Sequence, residues 1–139
     1  MILTVTYNPA VDQTVTFDEP LASETVNRAT DAQFDAGGKG INVSQFLAAM
    51  DTATVATGLL GGFTGTFVTE ELKAADIPAE FVTVDEPTRL NTTALAGGTE
   101  YKLNQAGPAV DASAVDDLVE RIADHEPARV LVGGSLPPG

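Results

Sequence analysis

Residues Asp35 to Phe46 read Asp-Ala-Gly-Gly-Lys-Gly-Ile-Asn-Val-Ser-Gln-Phe. Gly37, Gly38 and Gly40 free the backbone to turn tightly and to come close to a ligand. Val43, Phe46, Leu47 and Met50 then fall at i, i+3, i+4 and i+7, which predicts a helix from about Gly40 to Met50. A glycine-rich turn therefore feeds a helix N-terminus, where free N–H groups and the positive end of the helix dipole suit an anion. Lys39 adds a full positive charge at that point. The stretch is not a Walker A loop, because Gly40 stands where that motif needs Ser or Thr after Gly-Lys.

Other cations bear on the same chemistry. The chain has 20 acidic and 7 basic residues, a net charge of −13, so each positive charge invites a reason. Lys73, Arg121 and Arg129 lie on or beside expected surface helices and read as solvated charges. Arg28, Lys39, Arg89 and Lys102 lie in or beside strands and glycine turns, and together they could bind a phosphorylated molecule. Asp12 follows the first expected strand closely, and a carboxylate near the end of such a strand sits where α/β folds take ligands.

The composition excludes several classes. A surface this acidic disfavours nucleic acid and anionic membranes as partners and fits a protein kept soluble at high salt. With no cysteine there are no disulfides or thiolate zinc sites. His125, the only histidine, falls at the end of an expected helix and reads as a solvated residue. No run approaches the roughly 18 apolar residues of a membrane span and no signal peptide is visible, so a cytoplasmic protein is expected. The length, 139 residues, suits one domain with a real core.

The elements that must position these residues follow from periodicity and turn chemistry. Ile2 to Tyr7 is an expected strand ended by Asn8-Pro9, and Val15 to Phe17 is a second short one. Glu24 to Phe34 alternates loosely, as a half-exposed antiparallel strand does. After the first helix come a strand at Ala53–Thr57, a flexible glycine loop at Gly58–Gly65, a helix at Phe67–Ala75 and a strand at Phe81–Val84. Asn91–Ala96 and Thr99–Leu103 form an expected hairpin around Gly97-Gly98. Ser113-x-x-Asp116 resembles a capping box before a helix whose stripe, Val115, Leu118, Val119 and Ile122, reads as a core face. Val130 to Val132 is the last strand. Alternating strands and helices predict a parallel sheet covered on both faces. The small strands and the hairpin are two insertions that could pair as a separate sheet.

Five stretches carry a family resemblance: Thr4-Val-Thr-Tyr-Asn-Pro-Ala-Val-Asp12, Gly37-Gly-Lys-Gly-Ile-Asn-Val43, Gly61-Gly-Phe-Thr-Gly65, Thr88-Arg-Leu-Asn91 and Gly134-Ser-Leu-Pro-Pro-Gly139. In this order they resemble the N-terminal half of the ribokinase-like (PfkB) carbohydrate kinases, closest to the 1-phosphofructokinase and tagatose-6-phosphate kinase groups. The resemblance implies an α/β fold, a Rossmann-type three-layer α/β/α structure with a small β-sheet lid. Residues 1–139 would form the N-terminal part of one kinase domain, with lid strands within about 12–35 and 88–105. Its implied ligands are ATP, Mg2+ and a phosphorylated ketohexose, with fructose 1-phosphate first and fructose 6-phosphate or tagatose 6-phosphate as alternatives. Asp12 and Asn42 would hold sugar hydroxyls. Lys39 and Arg89 would clamp the existing phosphate, helped by Arg28. The Gly37-Gly38 backbone would face the sugar, and Ser135 and Asn104 would complete the substrate-binding set. A homodimer through the lid is also implied.

The departures bound that reading. Where the family often has Asn-Glu-Pro-Gly, this chain has Asn104-Gln105-Ala106-Gly107, and Gln105 receives no role. The family's catalytic aspartate, in Gly-Ala-Gly-Asp, and most of its nucleotide and magnesium ligands lie in a C-terminal half that these 139 residues do not contain. The isolated chain is therefore expected to be catalytically inactive, and the rival reading is a non-catalytic sugar-phosphate-binding or dimerisation fragment. A dinucleotide-binding oxidoreductase is excluded, since no Gly-x-Gly-x-x-Gly follows the first strand.

Overall fold

The computed structural model describes residues 1–139. β-Branched residues make β1 (Ile2–Thr6), which lies buried between β4 (Thr54–Gly61) and β8 (Arg129–Gly133). With β5 (Val82–Val84) these form a parallel sheet of order β5-β4-β1-β8. Helices α1 (Lys39–Ala49) and α2 (Gly62–Ala74) cover one face, where Ile41, Ala56, Leu60, Val68 and Leu72 pack together. Helix α3 (Ala112–Asp124) covers the other, with Leu118 against Val5, Leu59, Val82 and Val84. The two clusters use alternate residues of β4, Ala56 and Leu60 against Leu59, as the two-residue strand period requires.

A second sheet stands off the first. It runs β3-β2-β6-β7, built from β2 (Ala10–Phe17), β3 (Asp31–Gly37), β6 (Arg89–Ala96) and β7 (Thr99–Asn104). The central β2–β6 pair is parallel and both outer pairs are antiparallel. The two insertions thus meet along a single β2–β6 seam. Phe34 of β3 packs edge-on to Phe67 of α2, which props this sheet against the first.

Several expectations change. The glycine loop expected at Gly58–Gly65 is ordered: β4 continues to Gly61 and α2 starts at Gly62, five residues before the expected helix. Gly58 is needed for close approach, since its φ is +151° and a Cβ there would lie 2.9 Å from the Thr6 carbonyl carbon. Strand β2 starts at Ala10 rather than at Val15, so Asp12 lies within it. Strand β3 begins only at Asp31, leaving Glu24 to Thr30 irregular. The cap of α3 is Asp111, whose carboxylate accepts from the Ala114 amide at 2.9 Å, in place of the expected Ser113 box.

The apolar stripe that announces α1 is not its buried face. Phe46 and Met50 are 71% and 70% exposed, and the helix instead buries Gly40, Ile41 and Ser44. Small residues let α1 sit close to β1: a Cβ on Gly40 would lie 2.9 Å from the Val5 carbonyl oxygen. A buried hydroxyl chain, Thr4–Ser44–Thr54, at 2.7 and 2.8 Å then ties α1 to β1 and β4. On α3, Leu118 is fully buried while Val115 and Val119 are exposed. At the sheet edge, Val130, Leu131 and Val132 of β8 are exposed as well. His125 and Arg121 both reach Glu80, at 2.6 and 3.4 Å.

Candidate functional site

Register brings four polar side chains into one row across the second sheet. Asp12 of β2 stands opposite Asp35 of β3 on one side and Asn91 of β6 on the other, and Asn91 stands opposite Asn104 of β7. Residues paired in this way share a face. Arg89, Thr93 and Lys102 belong to the same face by the two-residue period. Half-buried Asp12, Arg89 and Asn91 thus meet near the sheet's base, with Asp35, Asn104 and Lys102 exposed around them.

Asp12 and Arg89 are both half-buried, and burial disfavours the charge on each. Loss of hydration pushes the Asp12 carboxyl above its ordinary value. The Arg89 charge and a hydrogen bond from Asn91 oppose this, while the nearby Asp35 charge adds to it. Desolvation likewise lowers the Arg89 guanidinium, against the pull of Asp12. Arg89 Nη2 donates to the Asn8 carbonyl at 3.1 Å, but its Nε is buried without a partner, as are Asn91 Oδ1 and Asn8 Oδ1. Three orphaned polar atoms among these neighbouring residues are unusual in a folded interior and fit a site that a polar ligand completes.

Thr88 aims Arg89. Its backbone N–H donates to the Gly61 carbonyl at 2.9 Å, its hydroxyl accepts from the Gly61 amide at 3.1 Å, and its carbonyl accepts from Thr64 Oγ1 at 2.6 Å. Gly62, at φ +62°, has Pro87 Cα where a Cβ would point, 2.9 Å away. The Gly61–Gly65 and Thr88–Asn91 stretches thus form one interlocked unit. Arg89 also lines a cavity of about 430 Å³ with Glu86, Gln105 and Gly107.

The glycine run closes the site from the first sheet. Gly37 ends β3 and Gly38, at φ +122°, caps α1 with no side chain over the helix end. Lys39 is the first residue of α1 and its side chain is exposed. Gly133, ending β8, comes against it: a Cβ there would lie 3.2 Å from Lys39 Cβ. Ser135 Oγ accepts from Asn8 Nδ2 at 3.2 Å. Asp12, Gly37, Arg89 and Asn104 are therefore gathered through the second sheet, and Gly38, Lys39 and Ser135 through the ends of β1, α1 and β8. Arg28 lies exposed in the irregular stretch between β2 and β3, and Asn42 is exposed in the first turns of α1; neither side chain bonds to the other site residues. Lys102 pairs with Glu100 at 3.2 Å in solvent.

Asn8 is the residue sequence reasoning used least, as a strand terminator only. It is 2% exposed and links Arg89, Ala106 and Ser135. Its place in the Asn-Pro-Ala-x-Asp stretch was the available signal. Gln105 also gains a structural task, its Oε1 accepting from the Leu90 amide at 2.9 Å.

The pfkB carbohydrate kinase family model matches residues 5–139. The chain belongs to that family. As a pfkB member it is 58% identical over its whole length to a 1-phosphofructokinase of Haloferax volcanii, of which it covers 46%. It is 37% identical to a D-tagatose-1-phosphate kinase of Bacillus licheniformis, covering 45% of that protein. Among solved structures, phosphofructokinase-2 of Escherichia coli in complex with fructose 6-phosphate matches 99% of the chain at 28% identity with a TM-score of 0.89; the match covers 46% of that enzyme. The tetrameric inhibited form of the same enzyme matches at 0.88. The fold is thus the ribokinase-like α/β arrangement of the pfkB kinases, and the chain spans about half the length of the relatives it matches. No helix is long and apolar enough to cross a membrane.

The pfkB kinases use ATP and a divalent metal. These residues bring together no group of three or more His, Cys, Asp or Glu side chains that could hold a metal.

Proposed function

We propose that this chain is the sugar-phosphate-binding half of an ATP-dependent 1-phosphofructokinase. The parent enzyme would move the γ-phosphoryl of ATP onto the free primary hydroxyl of fructose 1-phosphate, giving fructose 1,6-bisphosphate, ADP and a proton. Fructose 6-phosphate and a tagatose phosphate are the alternatives. Phosphoryl transfer depends mainly on positioning and charge neutralisation, so a substrate cradle is a large part of such a machine.

The observation that carries this reading is Arg89: a half-buried cation with an unpaired Nε, set beside Asp12 and held by Thr88. A dianionic phosphate would pair the guanidinium, with Lys39 at the start of α1 as its second cation. Asp12, Asn42 and Asn104 would take sugar hydroxyls, and the Gly37-Gly38 backbone and Ser135 would line the cleft. Arg28 would join from the irregular stretch. Residues 1–139 would form part of a single kinase domain with the second sheet as its lid, acting in the cytoplasm. The acidic surface and the Haloferax volcanii relative support a high-salt setting.

Calorimetry on the purified chain in high salt tests the reading. Fructose 1-phosphate should bind and unphosphorylated fructose should not. A charge-assisted hydrogen bond is worth about 1.5–3 kcal/mol, so Arg89→Ala should weaken binding about tenfold or more. Equal affinity of wild type and variant for every hexose phosphate would overturn the assignment.

By itself, the chain would bind without transferring phosphoryl groups. The chain covers 46% of the Haloferax volcanii 1-phosphofructokinase it matches, which fits this reading of the isolated polypeptide.

A further inference from the structure

Four chain crossings join the two sheets: Tyr7–Pro9, Gly38, Asp85–Thr88 and Gln105–Asp111. Asn8, in the first, is hydrogen-bonded at the edge of the third and within the fourth. Its backbone carbonyl accepts from Arg89, the first residue of β6, directly after the third crossing. Its Nδ2 donates at 2.8 Å to the Ala106 carbonyl in the fourth crossing, and at 3.2 Å to Ser135 beyond β8. Its neighbour Pro9 backs the second crossing, where a Cβ on Gly38 would lie 3.4 Å from Pro9 Cα. These partners lie 81, 98 and 127 residues away in sequence.

Asn8 is also tightly enclosed. It is 2% exposed, and Gly107, at φ +108°, has no side chain where a Cβ would come 2.9 Å from Asn8 Cγ. A carboxamide is one of the few side chains that can donate two hydrogen bonds from a single small group. Leaving such donors or their acceptors unpaired in a buried place is costly, so the junction resists sliding.

We propose that Asn8 is the hinge pin of the second sheet: a positioning residue that fixes the return from β7 and the Ser135 loop against Arg89, so that sheet and cation move together. The third crossing has a second anchor, Thr88 on Gly61, so the fourth crossing depends on the pin most.

The test is hydrogen exchange, followed by mass spectrometry, on the full 139-residue chain with Asn8→Ala and, as a second variant that disturbs the pin from its partner's side, Gly107→Ala. Both should speed exchange at least about tenfold in β7 and in Gln105–Ala109, less in β6, and leave β1 and β4 unchanged. Unchanged exchange in β7, or equal acceleration in both sheets, would overturn the proposal. A binding arm rests on the sugar-phosphate reading. Affinity for fructose 1-phosphate should fall in Asn8→Ala and in Arg89→Ala, and the double variant should lose less than the product of the two losses. Multiplicative losses would show that Asn8 does not act through Arg89. If the wild-type chain binds no hexose phosphate, the sugar-phosphate reading fails while the exchange contrast still decides the hinge.

Discussion

Gly37 leaves the space that the Asp12 carboxylate occupies: a Cβ on Gly37 would lie 2.7 Å from Asp12 Cγ. The two residues sit on adjacent strands, two positions apart in register, with Ala10 opposite Gly37 and Asp12 opposite Asp35. Glycine is required here for space, which separates Gly37 from Gly38, where φ is +122° and the backbone itself calls for glycine.

Gly37→Ala should therefore turn the Asp12 carboxylate out of the cleft while leaving the chain folded. Fructose 1-phosphate binding should weaken about tenfold or more, on the scale of losing a charged hydrogen bond, with a far smaller change in thermal stability. Full affinity in a folded variant would show that Asp12 does not need its present rotamer to bind ligand.

The Asp12 carboxyl also predicts a pH effect with a definite sign. Its folded value is raised above the ordinary 3.8, so between that value and the raised one the native state holds more proton than the unfolded state. Stability falls as pH rises through that window. Asp12→Asn keeps the shape and removes the titration, so its thermal midpoint should gain on wild type as pH goes from about 3 to about 7. A midpoint difference that moves the other way would mean that Arg89 and Asn91 outweigh desolvation.

Assembly is a further test. Tyr101 and Leu103 lie on the face of the second sheet opposite the Asp12 row and are 40% and 59% exposed. We expect them to pair with the same face of a second copy, giving a homodimer through the lid. Light scattering in high salt should give a dimer for wild type and a monomer for Leu103→Asp. A monomer at all concentrations for wild type would rule the interface out.

The chain alone should not turn over MgATP and fructose 1-phosphate. General-base catalysis needs a group within hydrogen-bond reach of the attacking hydroxyl, and the family's aspartate for that task lies outside these residues. Asp12, the half-buried carboxylate of the row, is the candidate to substitute. A coupled ADP-release assay should read background. Turnover that disappears in Asp12→Asn would mean that this half carries its own base.

Much of this was readable from sequence because it is local. Glycine followed by a 3.6-residue pattern placed α1, the Gly97-Gly98 turn placed the β6–β7 hairpin, and strand–helix alternation gave a parallel sheet with both faces covered. Five short stretches in order gave the family. The same local reading misjudged which side of a helix is buried. Apolar spacing marks a helix, but the neighbours decide which face packs, and α1 buries Gly40 and Ser44 in preference to Phe46. Glycines at Gly58 and Gly61 read as a loop, because sequence does not say that a neighbouring backbone will come close enough to exclude a Cβ.

The site was legible as a list of residues, and the tertiary structure decided how they are connected. That Asp12 meets Asn91, that Thr88 locks onto Gly61, and that Asn8 holds Arg89, Ala106 and Ser135 are contacts between segments from 27 to 127 residues apart. No periodicity spans such distances. They arise because two sheets must cross within a few residues of each other, and the buried polar atoms at that crossing must find partners wherever the chain returns.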